Sequence, residues 1–145
     1  MNKIVVFMLA LLPASFSFAK CANSESTIFS CTTKKQKHVE VCDLGKTISY
    51  SFGKKNGKPE LAINIPRDAA STNQWDGMGA VRSYSVNIPN GKTVYSVYWL
   101  YDRNTDYIEG GIDVETNGKS VAKVICKADT IEQNLEGVKL KEAEY

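Results

Sequence analysis

The sequence predicts an all-β domain of about eight antiparallel strands, arranged as a barrel or sandwich, with a short C-terminal helix and two disulfides. Three observations carry this. From Thr27 onward, short segments rich in Val, Ile, Tyr, Phe and Thr are separated by turn residues, the spacing of an all-β domain. Within those segments apolar and polar residues alternate with period two. Asn-Gly dipeptides at 56–57, 90–91 and 117–118 fall between them, and Asn-Gly marks hairpins because both residues tolerate positive φ.

Ahead of the domain, Lys3 precedes an apolar run from Ile4 to Leu12, Pro13 breaks it, and Ser17-Phe18-Ala19 supplies small residues for cleavage. Residues 1–19 therefore read as a signal peptide, removed after Ala19. The run is nine residues long, short of the roughly 20 that cross a bilayer, and no second such run follows. A soluble protein exported to a periplasm or beyond is expected. Lys20 stands before Cys21 where a lipobox needs a small residue, which argues against lipidation. Removing 19 residues from 145 leaves 126, one domain with one core. It divides into a β domain over 20–128 and a helix with a charged tail over 129–145.

The elements follow in order. A first hairpin, 27–32 with 38–43, carries Phe29 and Cys31 on one face of its first strand and Val39 and Val41 on one face of its second. Cys42 then points outward. Around Asn56-Gly57, a type I′ turn pairs Phe52 with Leu61, Tyr50 with Ile63 and Ile48 with Ile65, so turn and pattern agree on the register. Centring the next turn on Asn90-Gly91 pairs Ile88 with Thr93, Val86 with Tyr95 and Tyr84 with Val97, and sets Arg82 opposite Trp99. At Asn117-Gly118 a two-residue turn would set Ile112 against Lys123. A three-residue loop instead pairs Ile112 with Val124, Val114 with Ala122 and Gly110 with Cys126, and is preferred. Asp129 with Glu132 has the spacing of a capping box, and Ile131, Leu135 and Val138 recur at helical spacing. A short amphipathic helix docked on the sheet is expected there, followed by a mobile tail from Lys139.

The four cysteines, at 21, 31, 42 and 126, imply two bridges in an oxidising compartment. Apolar alternation places Cys31 and Cys126 inward, which favours Cys31 with Cys126 and leaves Cys21 with Cys42. A direct Cys31–Cys42 cross-strand bridge stays open as the alternative.

Charge and composition narrow the function. Without Lys3 the chain carries 17 basic and 16 acidic residues, and nucleic-acid binding needs clustered Lys and Arg. The run Lys34-Lys35-Gln36-Lys37-His38 reads as a solvated turn. His38 is the only histidine, so most nucleophilic mechanisms lack their base. No Asp or Glu lies in a conspicuously apolar context, and no enzyme activity, metal or cofactor is expected. Asp102, Asn104, Asp106 and Asp113 mimic the spacing of a calcium loop. Tyr107, however, occupies the position that needs Gly, and the segment joins strands, so it reads as a solvated loop. The connection from Pro66 to Met78 is long for a compact domain. It carries Trp75, either a cover for an open end of the sheet or a binding anchor.

The succession Phe29-Ser30-Cys31, Ile48-Ser49-Tyr50-Ser51-Phe52, Gly79-Ala80-Val81-Arg82-Ser83-Tyr84, Val97-Tyr98-Trp99 and a closing strand ending in Cys126 resembles the small periplasmic and membrane-bound inhibitors of c-type lysozyme. The resemblance implies an eight-stranded barrel with a disulfide joining first and last strands. It also implies inhibition by a loop with a Ser-Gly-x-x-Tyr motif inserted into the catalytic cleft. Here Met78 replaces that serine, and Tyr84 follows Gly79 by five residues instead of three. Trp75, Gly79, Arg82, Ser83, Tyr84 and Trp99 are the candidate partner-binding residues, and a lysozyme or other cell-wall hydrolase is the candidate partner. Two other readings stand beside it: a periplasmic ligand- or glycan-binding module stacking sugars on Trp75, Trp99 and Tyr101, and a toxin-neutralising protein. Intact mass of the exported chain checks the export reading. The expected species begins at Lys20 and gains no mass on alkylation without reductant; an alkylated species would contradict the two bridges.

Overall fold

The structure, a computed structural model, describes residues 21–144; the expected signal peptide and Lys20 lie outside the described residues. The strands are β1 (Thr27–Thr32), β2 (His38–Asp43), β3 (Thr47–Gly53), β4 (Pro59–Pro66), β5 (Ser71–Asn73), β6 (Val81–Asn90), β7 (Thr93–Asp102), β8 (Tyr107–Thr116), β9 (Lys119–Ile125), β10 (Glu132–Gln133) and β11 (Lys141–Glu142). They form two sheets, ordered β10-β1-β2-β3-β4 and β11-β5-β6-β7-β8-β9. All neighbours are antiparallel except β11 with β5.

The arrangement is a sandwich. The closed barrel implied by the lysozyme-inhibitor resemblance does not form, because the chain divides into two separately hydrogen-bonded sheets. Their facing sides share one core: Phe29, Val39, Val41, Ile48 and Tyr50 from the first, Val86, Ile88, Val97 and Ile112 from the second. Tyr50 and Tyr95 stack across it at 5.3 Å between ring centroids.

Alternation sets the register where one face is buried. Phe29 pairs with Val41 and Cys31 with Val39; Phe52 pairs with Leu61, Tyr50 with Ile63 and Ile48 with Ile65. The β3–β4 turn is not the expected type I′, since neither Asn56 nor Gly57 has positive φ. The strands end at a bulge beside Gly53, where a Cβ would lie 2.7 Å from the Glu60 amide nitrogen.

The β6–β7 hairpin departs by two residues from the expected pairing. Asn90 pairs with Thr93, so Ile88 faces Tyr95, Val86 faces Val97, Tyr84 faces Trp99 and Arg82 faces Tyr101. The turn is Gly91-Lys92 with Gly91 at φ 62°, and a type II′ turn needs glycine at its first central position. A two-residue shift leaves every side chain on its expected face. At β8–β9, Ile112 pairs with Val124 and Val114 with Ala122 as expected. The loop between them nevertheless has two residues, Asn117 (φ 52°) and Gly118 (φ 73°), and a bulge after Val114 absorbs the extra residue.

Both expected disulfides are present, Cys31–Cys126 and Cys21–Cys42, and the Cys31–Cys42 alternative falls away. Oxidised pairs of this kind belong to an oxidising compartment. Among the described residues no helix is long and apolar enough to cross a membrane.

No α-helix forms over 129–138. A 3-10 turn at Ala128–Thr130 leads into β10, which pairs Glu132 with Ser30 and Gln133 with Phe29. The free edge of β1 needs backbone partners, and the segment supplies them in place of its own helical bonds. Asn134 continues this, its Nδ2 donating to the Thr27 carbonyl at 2.8 Å. Leu135 is still fully buried, with Ile131, Val138 and Leu140 against the core, so the apolar spacing serves an irregular strap. The tail is likewise held: β11 lies along β5, and Arg67 Nη2 donates to the Lys139 carbonyl at 2.8 Å.

Gly111 gives a direct test of the β8–β9 packing. A Cβ there would lie 2.0 Å from the Val124 carbonyl oxygen, a backbone atom that cannot rotate away. At Gly110 the nearest obstacle is the tip of the Ile131 side chain at 2.8 Å. Urea unfolding should show Gly111→Ala destabilised by about 1–3 kcal/mol, the usual cost of overpacking, and Gly110→Ala by less. Equal stability of Gly111→Ala and wild type would refute the close approach.

Candidate functional site

The long connection is organised around Trp75. After the 3-10 turn Arg67–Ala69 and β5, Gln74 ties the chain to the C-terminal strap. Its Nε2 donates to the Leu135 carbonyl at 2.9 Å and its Oε1 accepts from the Gly137 amide at 2.8 Å. Trp75 then packs partly buried against the core, and its indole N–H donates to the Met78 carbonyl at 2.7 Å. The Met78 amide in turn donates to Asp76 Oδ1 at 2.9 Å, while Gly77 and Gly79 turn the backbone at φ 90° and 78°, values that favour glycine. The result is a tight projection with Met78 at its tip, 74% exposed.

Two guanidinium groups lie over the indole, Arg82 at 5.4 Å and Arg103 at 5.3 Å from the ring. Arg103 also secures the projection, donating through Nη2 to the Gly79 carbonyl, and its amide bonds the Ala80 carbonyl at 3.1 Å. Among the described residues neither guanidinium pairs with a carboxylate, and Arg82 Nε is buried without a hydrogen-bond partner. Behind them Trp99 stacks with Tyr84 at 6.2 Å and with Tyr101 at 6.3 Å. Ile108, which pairs with Tyr101, adds exposed apolar surface on the same face.

Of the sequence candidates, Trp75, Arg82, Tyr84 and Trp99 thus form one contiguous cluster, with Gly79 on the projection. Ser83 is not part of it: it pairs with Leu100 and, by strand parity, faces the opposite side. Tyr84 is only 5% exposed. Burial first, then its hydrogen bond with Glu136, pushes its hydroxyl pKa up, so it is a core residue that supports the site. Arg103 escaped the sequence reading. Its signal is the hairpin length: pairing β6 with β7 as far as Val81–Asp102 brings residue 103 level with Ala80.

The calcium-like spacing does not assemble. Asn104 N–H bonds Asp102 Oδ1 and the Tyr101 hydroxyl bonds Asp106 Oδ1. Asp113, meanwhile, sits inside β8 opposite Ser96 and Lys123, roughly 20 Å along the strand from Tyr107 at about 3.3 Å per residue. Cys21, Glu40 and Cys42 do approach one another, but both sulfurs are spent in a disulfide and offer no thiolate ligand. Compared with protein families, with curated proteins and with solved structures, the chain matches none.

On the other face of the second sheet, Glu109 accepts hydrogen bonds from the Tyr98 and Tyr107 hydroxyls, each at 2.7 Å, and pairs with Lys123 at 3.0 Å. The Tyr107 bond first, then that of Tyr98, pull its carboxyl down to about 2 from the ordinary 4.5. The folded carboxyl is the stronger acid, so this stabilisation is complete above the unfolded value of 4.5 and is lost as pH falls toward 2. Water on its open side screens the pair, which leaves about 1–2 kcal/mol. Denaturant unfolding across that window should show wild type losing this much more stability than Glu109→Gln; parallel acid profiles would refute the assignment.

Proposed function

We propose that the protein is an exported, periplasmic inhibitor of a cell-wall hydrolase, a lysozyme in the first instance, acting through the projection at 75–82. One observation carries the reading: a glycine-flanked loop with an exposed Met78 tip stands beside two arginines that pair with no carboxylate among the described residues. Glycosidase clefts hold the paired carboxylates of general acid and nucleophile. A planar guanidinium reaching one of them forms a charge-assisted, bidentate pair. The internal hydrogen bonds of the loop reduce the ordering cost of binding.

The glycan-stacking reading draws less support, because Trp99 is engaged with two tyrosines and Trp75 with two guanidinium groups.

Inhibition assays against c-, g- and i-type lysozymes test the proposal, with thermal unfolding of each variant alongside. Wild type should inhibit at least one at micromolar concentration. Arg82→Ala should weaken inhibition by roughly tenfold or more, as loss of a charged hydrogen bond does, with Tm lowered by only a few degrees for the lost contact with Trp75. Tyr84 variants are poor probes, since the buried ring would lower stability and imitate lost binding. No inhibition of any of the three by wild type would end this reading. An unaffected Arg82→Ala would remove the site and leave the function.

A further inference from the structure

A concavity lies on the outward side of the first sheet and shares no residue with the projection. The register aligns Cys42 with Ser49 and Asn64, Glu40 with Ser51 and Ala62, and His38 with Gly53 across β2, β3 and β4. Their neighbours of opposite parity, Val39, Val41, Tyr50 and Ile63, belong to the core. Because Ser49, Ser51, Gly53, Ala62 and Asn64 on β3 and β4 are small, the row leaves a hollow of about 410 Å³, within the range of small-molecule sites. Ala22 and Leu44 close one end and the β3–β4 loop with Lys54 and Lys55 the other.

The hollow contains a buried acid. Glu40 is 8% exposed; its Oε1 accepts the Cys21 amide at 3.2 Å and its Oε2 lies 3.9 Å from His38 Nε2. The Cys21–Cys42 disulfide anchors the segment that covers it. Among the described residues, the side chains of Ser49, Ser51 and Asn64 around Glu40 take part in no side-chain hydrogen bond, and Lys54 and Lys55 pair with no carboxylate. The neighbouring Lys37 is already joined to Glu60.

We propose that this hollow binds a small hydroxylated carboxylate of the sugar-acid class. The two ammonium groups at the loop end receive the carboxylate, while Ser49, Ser51, Asn64 and the acceptor-only carboxylate of Glu40 take hydroxyl groups. Simple carboxylates would leave the serines and Glu40 unused, and neutral sugars would leave the lysines unused. Of the aromatic residues along the hollow, Tyr50 is turned inward onto Tyr95.

The test titrates D-glucuronate into the isotopically labelled protein and follows backbone amide shifts, with D-glucose and acetate in parallel. Glucuronate should give saturable shifts confined to β2, β3, β4 and the 54–58 loop, and the other two should bind about tenfold more weakly or worse. Lys54→Gln with Lys55→Gln should weaken glucuronate by a similar, roughly tenfold factor. Ala62→Trp, an outward substitution that fills the hollow without touching the core, should abolish binding while the remaining spectrum keeps its dispersion. Shifts that do not saturate, that map elsewhere, that acetate reproduces equally, or that survive Ala62→Trp would overturn the proposal. Inhibition of lysozyme does not enter this readout, so the two readings fail separately.

Discussion

The Cys31–Cys126 disulfide joins the first strand of one sheet to the end of the last long strand of the other, and the remaining chain is arranged about that junction. It does not act alone. Thr33 bridges Cys126, the Lys34 amide donates to the Ile125 carbonyl at 3.0 Å, and the Lys127 amide donates to the Thr32 carbonyl at 2.8 Å. The bond spans 95 residues, for which the chain-entropy account gives about 4–5 kcal/mol. Cys21–Cys42 closes only 21 and is worth about 3 kcal/mol on the same account. Holding the sheets at this corner brings the Phe29 ring over Gly110, where a Cβ would lie 3.5 Å from its tip. It also leaves β1 with an unpaired edge, which the chain after Cys126 then covers.

That edge explains why the C-terminal segment was misread while most strands were not. Ile131, Leu135 and Val138 at helical spacing fit a docked helix and a strap equally well, because both present the same apolar residues to the core. What decides between them is the unmet demand of Phe29 and Ser30 for backbone partners, a tertiary fact with no local signature. Gly137, at φ 70°, also fits the strap. By contrast the β3–β4 register was legible although its turn was not, since Ile48, Tyr50 and Phe52 must share a face and a slip of one residue would expose all three.

Turn chemistry was the weaker guide. At 90–91 the choice between type I′ and type II′ moved the pairing by two residues without turning a side chain over. At 117–118 the two-residue turn and the core pairing that seemed to exclude each other coexist through a bulge. The candidate site inherits both the success and the error. Parity alone puts Arg82 beside the aromatic residues and Ser83 away from them. The partner of Arg82 is Tyr101, however, and only with that register does β7 run on to carry Arg103 to the same indole.

Near-neutral net charge conceals how charge is distributed at this end of the sandwich. The carboxylates around the site keep their charge but spend hydrogen-bonding capacity within the protein: Asp76 on the Met78 amide, Asp102 on the Asn104 amide and Asp106 on the Tyr101 hydroxyl. The two arginines are held instead by ring faces and carbonyls, which orient a guanidinium without neutralising it. Each cation–π contact is worth about 0.5–2 kcal/mol, enough to fix the groups in place before a partner arrives. The site is therefore a mixed-charge surface, in which two guanidinium groups without an ion pair stand beside carboxylates held by the protein's own neutral donors. The field it presents at contact distance is set by which charges are paired, and the residue totals do not reveal it.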